Sequence, residues 1–363
     1  MADSSSLNTK SRFFSLDFLK FLLTICIVCH HFQMDTGTVY QKFPFFNFHG
    51  GPFYFGYMVE FFFIISGFLA ALGFEKRPPE NFKNYFINKC IRIYPMAMIS
   101  VVFCIPVWFV YRIVFGEFTM GITPGIWRTV NSLLLTFQTG GGYNDLGINN
   151  PIWYLCVLLY MYVVFYCVVW ASKKLGINKI YGFIFLMFLG VAVLKNGYRI
   201  PFFNGQSARG YTAFFLGTIL YHLYEKVSHK TLTIASCVVF LLCLVCASLK
   251  YHLFFDDVQM IFTFLVWPSV LFIFLSFERI CPKLFSVLGG LSFEMYLWHA
   301  PFIVLTKTFR QLINPNFFFA RWFMLCFVIF MISIGFILYK YAEIPLTKFL
   351  KNRLLKKESE VSK

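Results

Sequence analysis

Apolar runs of about twenty residues recur along the whole chain, and this constrains the fold more than any other feature. A helix needs ~20 such residues to cross the hydrocarbon core of a bilayer. Ten stretches reach or approach that length: roughly 14–33, 53–74, 93–114, 152–171, 179–194, 211–226, 231–249, 258–277, 284–305 and 318–341, of which 179–194 is short. They are too long and continuous for barrel strands, and in lipid each span must satisfy its own backbone hydrogen bonds. The sequence predicts an all-α, polytopic membrane protein with about ten transmembrane helices, both termini cytoplasmic, and one integral-membrane domain over residues 1–363. Composition agrees: 59% of residues are hydrophobic and 13% charged, against about 25% charged in soluble domains.

The net charge is +16. With both termini inside, the cytoplasmic segments hold about twice as many Lys and Arg as the outer ones, as the positive-inside rule expects. The densest, "EKRPPENFKNYFINKCIR" and "KNRLLKK", both fall inside. The charge therefore needs no nucleic-acid partner to explain it. The N-terminal "MADSSSLNTKSRFF" lacks an apolar core followed by a small-residue cleavage site, so it is expected to be retained. The eleven cysteines sit mostly within the spans and predict no disulfide framework. "TGGGY" in the long outer segment 115–151 reads as a turn, not a phosphate cradle, and Trp127–Phe137 as a short helix dipping into the membrane.

The first span, "SLDFLKFLLTICIVCHHF", carries Asp17, Lys20, His30 and His31. Ionisable groups in a span are costly and by default face a cavity or a partner. At ~100° per residue, Lys20 and His31 share a helix face, with Asp17 one turn from Lys20, in a stripe rising roughly 20 Å. Asp17 and Lys20 could equally pair at the interface, and His31 could be a satisfied core histidine. Within "CIVCHH", Cys26, Cys29 and His30 spell C-x-x-C-H, a haem-attachment pattern. Here the thiols lie inside an apolar helix with no room for a porphyrin, and no second Cys/His pair stands at zinc-ligand spacing. Neither haem nor metal is expected.

Several segments together resemble the acyltransferase 3 family of membrane acyltransferases. The first span reads Asp17-x-x-Lys20, ten residues, His31, with lysine where that family more often has arginine. "GYMVEFFFIISGFLAAL" is similar to its second helix, with Glu60, Ser66 and Gly67 at matching positions. "FINKCIRIYP" supplies Arg92, Tyr94 and Pro95. "NNPIWYLCVLLYMY" resembles its W-x-L segment, "LSFEMYLWHAPF" its C-terminal histidine motif with His299, and "YAEIPLTKFL" its closing E-x-P.

The resemblance implies transfer of an acyl group, usually acetyl, from cytoplasmic acetyl-CoA to a hydroxyl of an extracytoplasmic polysaccharide, by an enzyme of the cytoplasmic membrane. On that expectation His31 is the base that takes the hydroxyl proton, with Glu60 or Asp17 as orienting carboxylate. Asp17 lies too far below His31 to touch it and fits better as the positioner of Lys20. Lys20, Lys89 and Arg92, near the inner face, are expected to meet CoA phosphates, with Tyr94 and Ser66 beside them. His299, Trp153, Tyr154 and Trp298 are expected to line the acceptor side, although the aromatics could be interfacial packing. Ser66-Gly67 could equally be close helix packing. Arg199 and Arg209 are expected in an exposed outer loop, and Glu294 near His299. A covalent acyl-histidine route stays open beside direct transfer. So do an acceptor other than a polysaccharide and a transporter of glycans or lipid-linked precursors, since polar stripes in spans suit both.

Overall fold

The computed structural model describes residues 12–51, 55–79, 81–139, 145–197, 199–249, 257–314 and 322–355. The first eleven residues, most of "TGGGY" and the end of the basic tail lie outside these. Helices make up the architecture: α1 Phe14–Thr36, α2 Met58–Lys76, α3 Phe82–Phe115, α4 Ile126–Leu133, α5 Trp153–Leu175, α6 Lys179–Asn196, α7 Gly205–Lys226 and α8 His229–Ser248. Then α9 Val258–Ile261 passes through a π turn, Phe262–Val266, into α10 Trp267–Ser276. The long α11, Phe285–Ile313, is followed by α12 Phe323–Leu338, a second π turn at Tyr339–Glu343, and α13 Ile344–Leu354.

Among the described residues, eight helical segments are both long and apolar enough to cross a bilayer. The expected spans 211–226 and 284–305 are present as α7 and α11, of 22 and 29 residues, but are not among those eight. The reason is positional. Both are interior helices whose polar side chains, such as Arg209 and Thr218 on α7 and Glu294 and His299 on α11, face protein and not lipid. The outer helices show the opposite pattern. Phe185 and Phe188 of α6 and Val238 and Leu241 of α8 are more than half exposed, as a lipid-facing surface requires.

Sequence signals set the ends. Asn81 caps α3 by accepting from the Asn84 N–H at 2.8 Å, and Asn204 and Ser207 form a capping box at α7. Gly37 ends α1 in the left-handed region at φ 67°, its N–H bonded to the Gln33 carbonyl. α3 starts eleven residues before the expected span. Lys89 and Arg92 therefore project from a rigid helix of 34 residues, not from a loop.

Two crossings position the interior. α2 and α7 meet at glycines: a Cβ at Gly67 would lie 1.9 Å from the Phe214 carbonyl oxygen, and one at Gly217 would lie 2.0 Å from that of Ile64. Small residues here bring backbones into contact. α11 crosses α1 at Gly289, where a Cβ would lie 2.4 Å from Asp17 Oδ1. The missing side chain is the space the carboxylate fills.

α4 is the short helix expected in the outer segment. Ile126 and Trp127 are exposed on it, at 83% and 75%. Arg128 ties it back to Leu146, Thr123 and Asp145.

Candidate functional site

The charged stripe on α1 is built as its spacing predicts. Asp17 Oδ1 lies 2.6 Å from Lys20 Nζ, and its Oδ2 lies 2.6 Å from Arg12 Nε. One buried carboxylate thus serves two cations. Arg12 also donates to the Ser286 carbonyl at 2.6 Å, joining the stripe to α11. Asp17 acts on Lys20 and not on His31, which stands fourteen residues further along the helix.

A cavity of about 2040 Å³ runs upward from this end of the bundle. It exceeds the roughly 300–1,000 Å³ typical of small-molecule sites. Lys20, Lys89 and Arg92 line it, as do Lys76, Lys348 and Lys351 nearer the helix ends. Lys89 Nζ sits over the Tyr162 ring at 4.4 Å and near Tyr85 at 5.4 Å. Arg92 is exposed to the cavity. No hydrogen bond or ion pair involves its guanidinium among the described residues, and the Glu343 carboxylate shares the cavity wall with it.

The deep end of the cavity is aromatic. Tyr154 and Tyr296 line it, their rings 5.9 Å apart. Tyr154 shares a hydrogen bond with Ser66 at 3.0 Å and donates to the Phe62 carbonyl at 3.2 Å. Tyr296 donates to the Pro151 carbonyl. Ile27, one turn below His31 on α1, also reaches the cavity.

Just beyond Tyr296 lie two histidines. His31 and His299 have ring centroids 5.0 Å apart, and Tyr296 is 5.9 Å from His299. His299 is fully buried. Its Nδ1 lies 2.7 Å from the Tyr296 carbonyl, which only accepts, so the ring hydrogen sits on Nδ1. Nε2 is left with a lone pair and no protein partner. A buried basic nitrogen held in one tautomer is suited to receive a proton.

The segment under His299 is shaped by Pro301, which has no N–H to give the Leu297 carbonyl one turn earlier. Asn149 replaces it, donating to Leu297 O at 2.9 Å and to Ser100 Oγ at 3.0 Å.

Other expected site residues lie elsewhere. Glu60 is 1% exposed and does not meet His31. Its oxygens accept from Arg209 Nε at 2.6 Å, Arg209 Nη2 at 3.0 Å and Gln259 Nε2 at 2.8 Å. Arg209 is accordingly not an exposed loop residue. It projects from α7, with its guanidinium 5.0 Å from the centre of the Trp153 ring. Trp153 is thus partly covered by that cation. Trp298 is buried, not at a mouth: its indole N–H donates to Glu294 Oε2 at 3.0 Å, and its ring packs 5.2 Å from Phe103. Glu294 therefore serves Trp298 and not His299. Tyr94 is not among the cavity residues; its hydroxyl donates to the Leu134 carbonyl at 2.7 Å. Ser66 does reach the cavity wall, while its neighbour Gly67 makes the α2–α7 crossing. Cys26 and Cys29 are free thiols in the α1 wall.

Sequence reasoning passed over Tyr296 and Asn149. Tyr296 stands inside the quoted motif "LSFEMYLWHAPF", and the pairing of "NNP" with a helix-internal proline was the signal for Asn149.

Fold and site together define a polytopic helical membrane protein with a deep cation-lined chamber ending below paired histidines. The acyltransferase 3 family model (acyltransferase domain) matches residues 13–356, and the chain belongs to that family of membrane acyltransferases. A search of curated proteins and a search of solved structures each returned no match.

Proposed function

We propose that the protein moves a short acyl group, acetyl in the simplest case, from cytoplasmic acyl-CoA to a hydroxyl of an extracytoplasmic polysaccharide or other glycan. The observation that carries this reading is the chamber lined by Lys20, Lys89 and Arg92 that also reaches Tyr296, whose ring lies 5.9 Å from that of His299. Both termini and the basic mouth lie on the cytoplasmic side of the cell membrane in this reading. α7 and α11 complete a ten-helix bundle that works as one domain.

Acyl-CoA is the donor substrate. Its diphosphate and 3′-phosphate are anionic groups that require cationic donors, and Arg92, Lys89 and Lys20 offer them on rigid helices. Arg92 carries the largest share, because Lys20 already has Asp17 and Lys89 already lies on two tyrosine rings. The pantetheine arm follows the chamber past Ser66 and Tyr154 towards Tyr296, and the thioester comes to rest beside His31. The glycan hydroxyl arrives from the opposite side. A hydroxyl is a poor nucleophile at neutral pH, and an imidazole that takes its proton during attack removes that barrier. His31 is the base, and His299, locked by the Tyr296 carbonyl, sets its position and shares the proton. Asp17 holds Lys20 in place. Trp153 and Arg209 flank the acceptor route and offer it a stacking face.

The test is acetyl-CoA binding and thiol release by the purified full-length protein and by His31→Ala. Saturable binding in both, with cleavage in the wild type alone, is expected. Absence of binding refutes the reading and favours passage of a glycan through the bundle instead.

A further inference from the structure

The segment joining α3 to α5 does not stay at the far end of the bundle. Phe118 packs on the far end of α3, its ring 5.7 Å from that of Phe109 and 4.7 Å from the Arg112 guanidinium. Sixteen residues later the Leu134 carbonyl accepts from Tyr94 at 2.7 Å. Phe109 and Tyr94 are fifteen residues apart on one helix, so the chain has run back along α3 by about 22 Å. α4 forms the last part of that descent. Ile126 stands eight residues before Leu134 in helical backbone, so it lies no more than ~12 Å from the level of Tyr94. That range covers Met98, Ile99 and Val102, which are exposed apolar residues of α3.

α4 is two-sided. Ile126, Trp127, Val130 and Leu134 fall within about 100° of one another around the helix, and each is at least one-third exposed. The opposite side is tied down. Arg128 Nε donates to the Leu146 carbonyl at 3.0 Å, and the buried Ser132 hydroxyl accepts from the Ile148 N–H at 3.0 Å. The next residue is Asn149, which fills the gap left by Pro301 under His299. Asn131, at the edge of the exposed face, donates to the Trp127 carbonyl at 2.8 Å and accepts from the Thr136 hydroxyl at 2.7 Å. The face itself is apolar, and it adjoins the exposed flank of α3 at the Tyr94–Leu134 bond. A position this far down α3 lies within the ~30 Å hydrocarbon core. Irregular backbone at that depth must be buried in protein, and Leu135 and Phe137, which follow α4, are buried.

We propose that α4 is a re-entrant helix whose Ile126, Trp127, Val130 and Leu134 side chains are seated against phospholipid acyl chains, and that this contact holds Arg128 and Ser132 on the 146–148 stretch. Depth, apolar chemistry and continuity with the exposed flank of α3 select acyl chains over a water-filled vestibule or a second protein. An eight-residue helix is too short to be stable alone. Lipid on one side and hydrogen bonds on the other supply what its length does not. The support of His299 through Asn149 then depends on the bilayer around α4. The proposal does not depend on the transfer reading.

The test uses the full-length protein in nanodiscs of phosphatidylcholine whose acyl chains carry bromine at mid-chain. Trp127→Phe keeps an aromatic ring, and the difference between wild-type and variant emission isolates the Trp127 signal; Trp170 and Trp322, also exposed, contribute equally to both. The brominated chains are expected to remove most of the Trp127 component, and iodide in the water to leave it intact. Quenching by iodide and not by bromine overturns the proposal in favour of an aqueous vestibule. Quenching by neither overturns it in favour of a protein partner or a second copy of the chain. In Ile126→Asn/Val130→Asn, backbone hydrogen exchange over 146–149 is expected to rise at least about tenfold, while α6 keeps its wild-type exchange. Equal exchange over 146–149 in variant and wild type overturns the coupling.

Discussion

Replacing Glu60 by glutamine separates a structural carboxylate from a chemical one. The Glu60 side chain is 2% exposed and that of Arg209 18%. Two short contacts join them, and Gln259 donates a third bond. Glutamine keeps the shape and removes the charge, leaving a guanidinium in a nearly dry site. Breaking one side of a buried pair costs about 3–5 kcal/mol. The lower end applies here, because Arg209 retains the Gly56 carbonyl at 2.9 Å and the face of Trp153. A loss of about 3 kcal/mol lowers the melting temperature of a chain this size by roughly 4 °C. Cys29, Cys104, Cys156 and Cys243 are buried free thiols, so a thiol-reactive fluorophore reports the melt as a rise above the signal of the exposed Cys167, Cys237 and Cys326. The double variant Glu60→Gln/Arg209→Met removes the stranded cation and regains at least half of the loss. Thiol release from acetyl-CoA, measured well below the melt, stays within about threefold of wild type. A Glu60→Gln protein that melts like the wild type but no longer cleaves the thioester would refute this argument and return Glu60 to the chemistry.

Three further outcomes are expected. Arg92→Gln raises KM for acetyl-CoA at least about tenfold, since a charge-assisted bond to phosphate contributes about 1.5–3 kcal/mol, and its KM depends less on salt than that of the wild type; steady-state assays across ionic strength check this. Gly217→Ala drives a Cβ into the Ile64 carbonyl and destabilises by about 1–3 kcal/mol, whereas Gly73→Ala, with nothing within 4 Å of the new atom, melts no lower than wild type. His299→Ala loses thiol release while keeping its melting temperature within a few degrees and its acetyl-CoA affinity, whereas Cys26→Ala/Cys29→Ala retains most activity; parallel melts, binding isotherms and thiol assays distinguish the two.

Local periodicity made much of this molecule legible. The Asp17–Lys20 pair follows from helical spacing alone, because both partners lie on one rigid element. The long apolar runs marked their helices for the same reason. What escaped was the choice of partner between elements. Glu60 and Arg209 are 149 positions apart, and nothing in either neighbourhood encodes their meeting. Arg209 looked like a loop residue because α7 is less apolar than its neighbours, yet that polarity is what an interior helix can carry. Trp298 followed the same logic in reverse. An indole near a helix end suits a membrane interface, but here Glu294 one turn below satisfies its N–H and lets the ring enter the core. His31 and His299 were legible as polar residues at similar depth; their contact depends on the close approach of α1 and α11, which Gly289 permits.

The bond from Asn149 to the Leu297 carbonyl has a consequence for inheritance. Proline at 301 creates a vacancy in the helix ladder, and an amide from a distant segment fills it. Pro301 needs the amide of Asn149, whereas Asn149 keeps its bond to Ser100 Oγ in either case. A lineage that exchanged Pro301 for alanine would restore the helix's own donor and release Asn149 from duty. One that lost Asn149 first would leave a buried carbonyl bare directly beneath His299. The two positions should therefore change in a fixed order, proline before asparagine, and relatives that keep the proline without the asparagine should be the rarest combination.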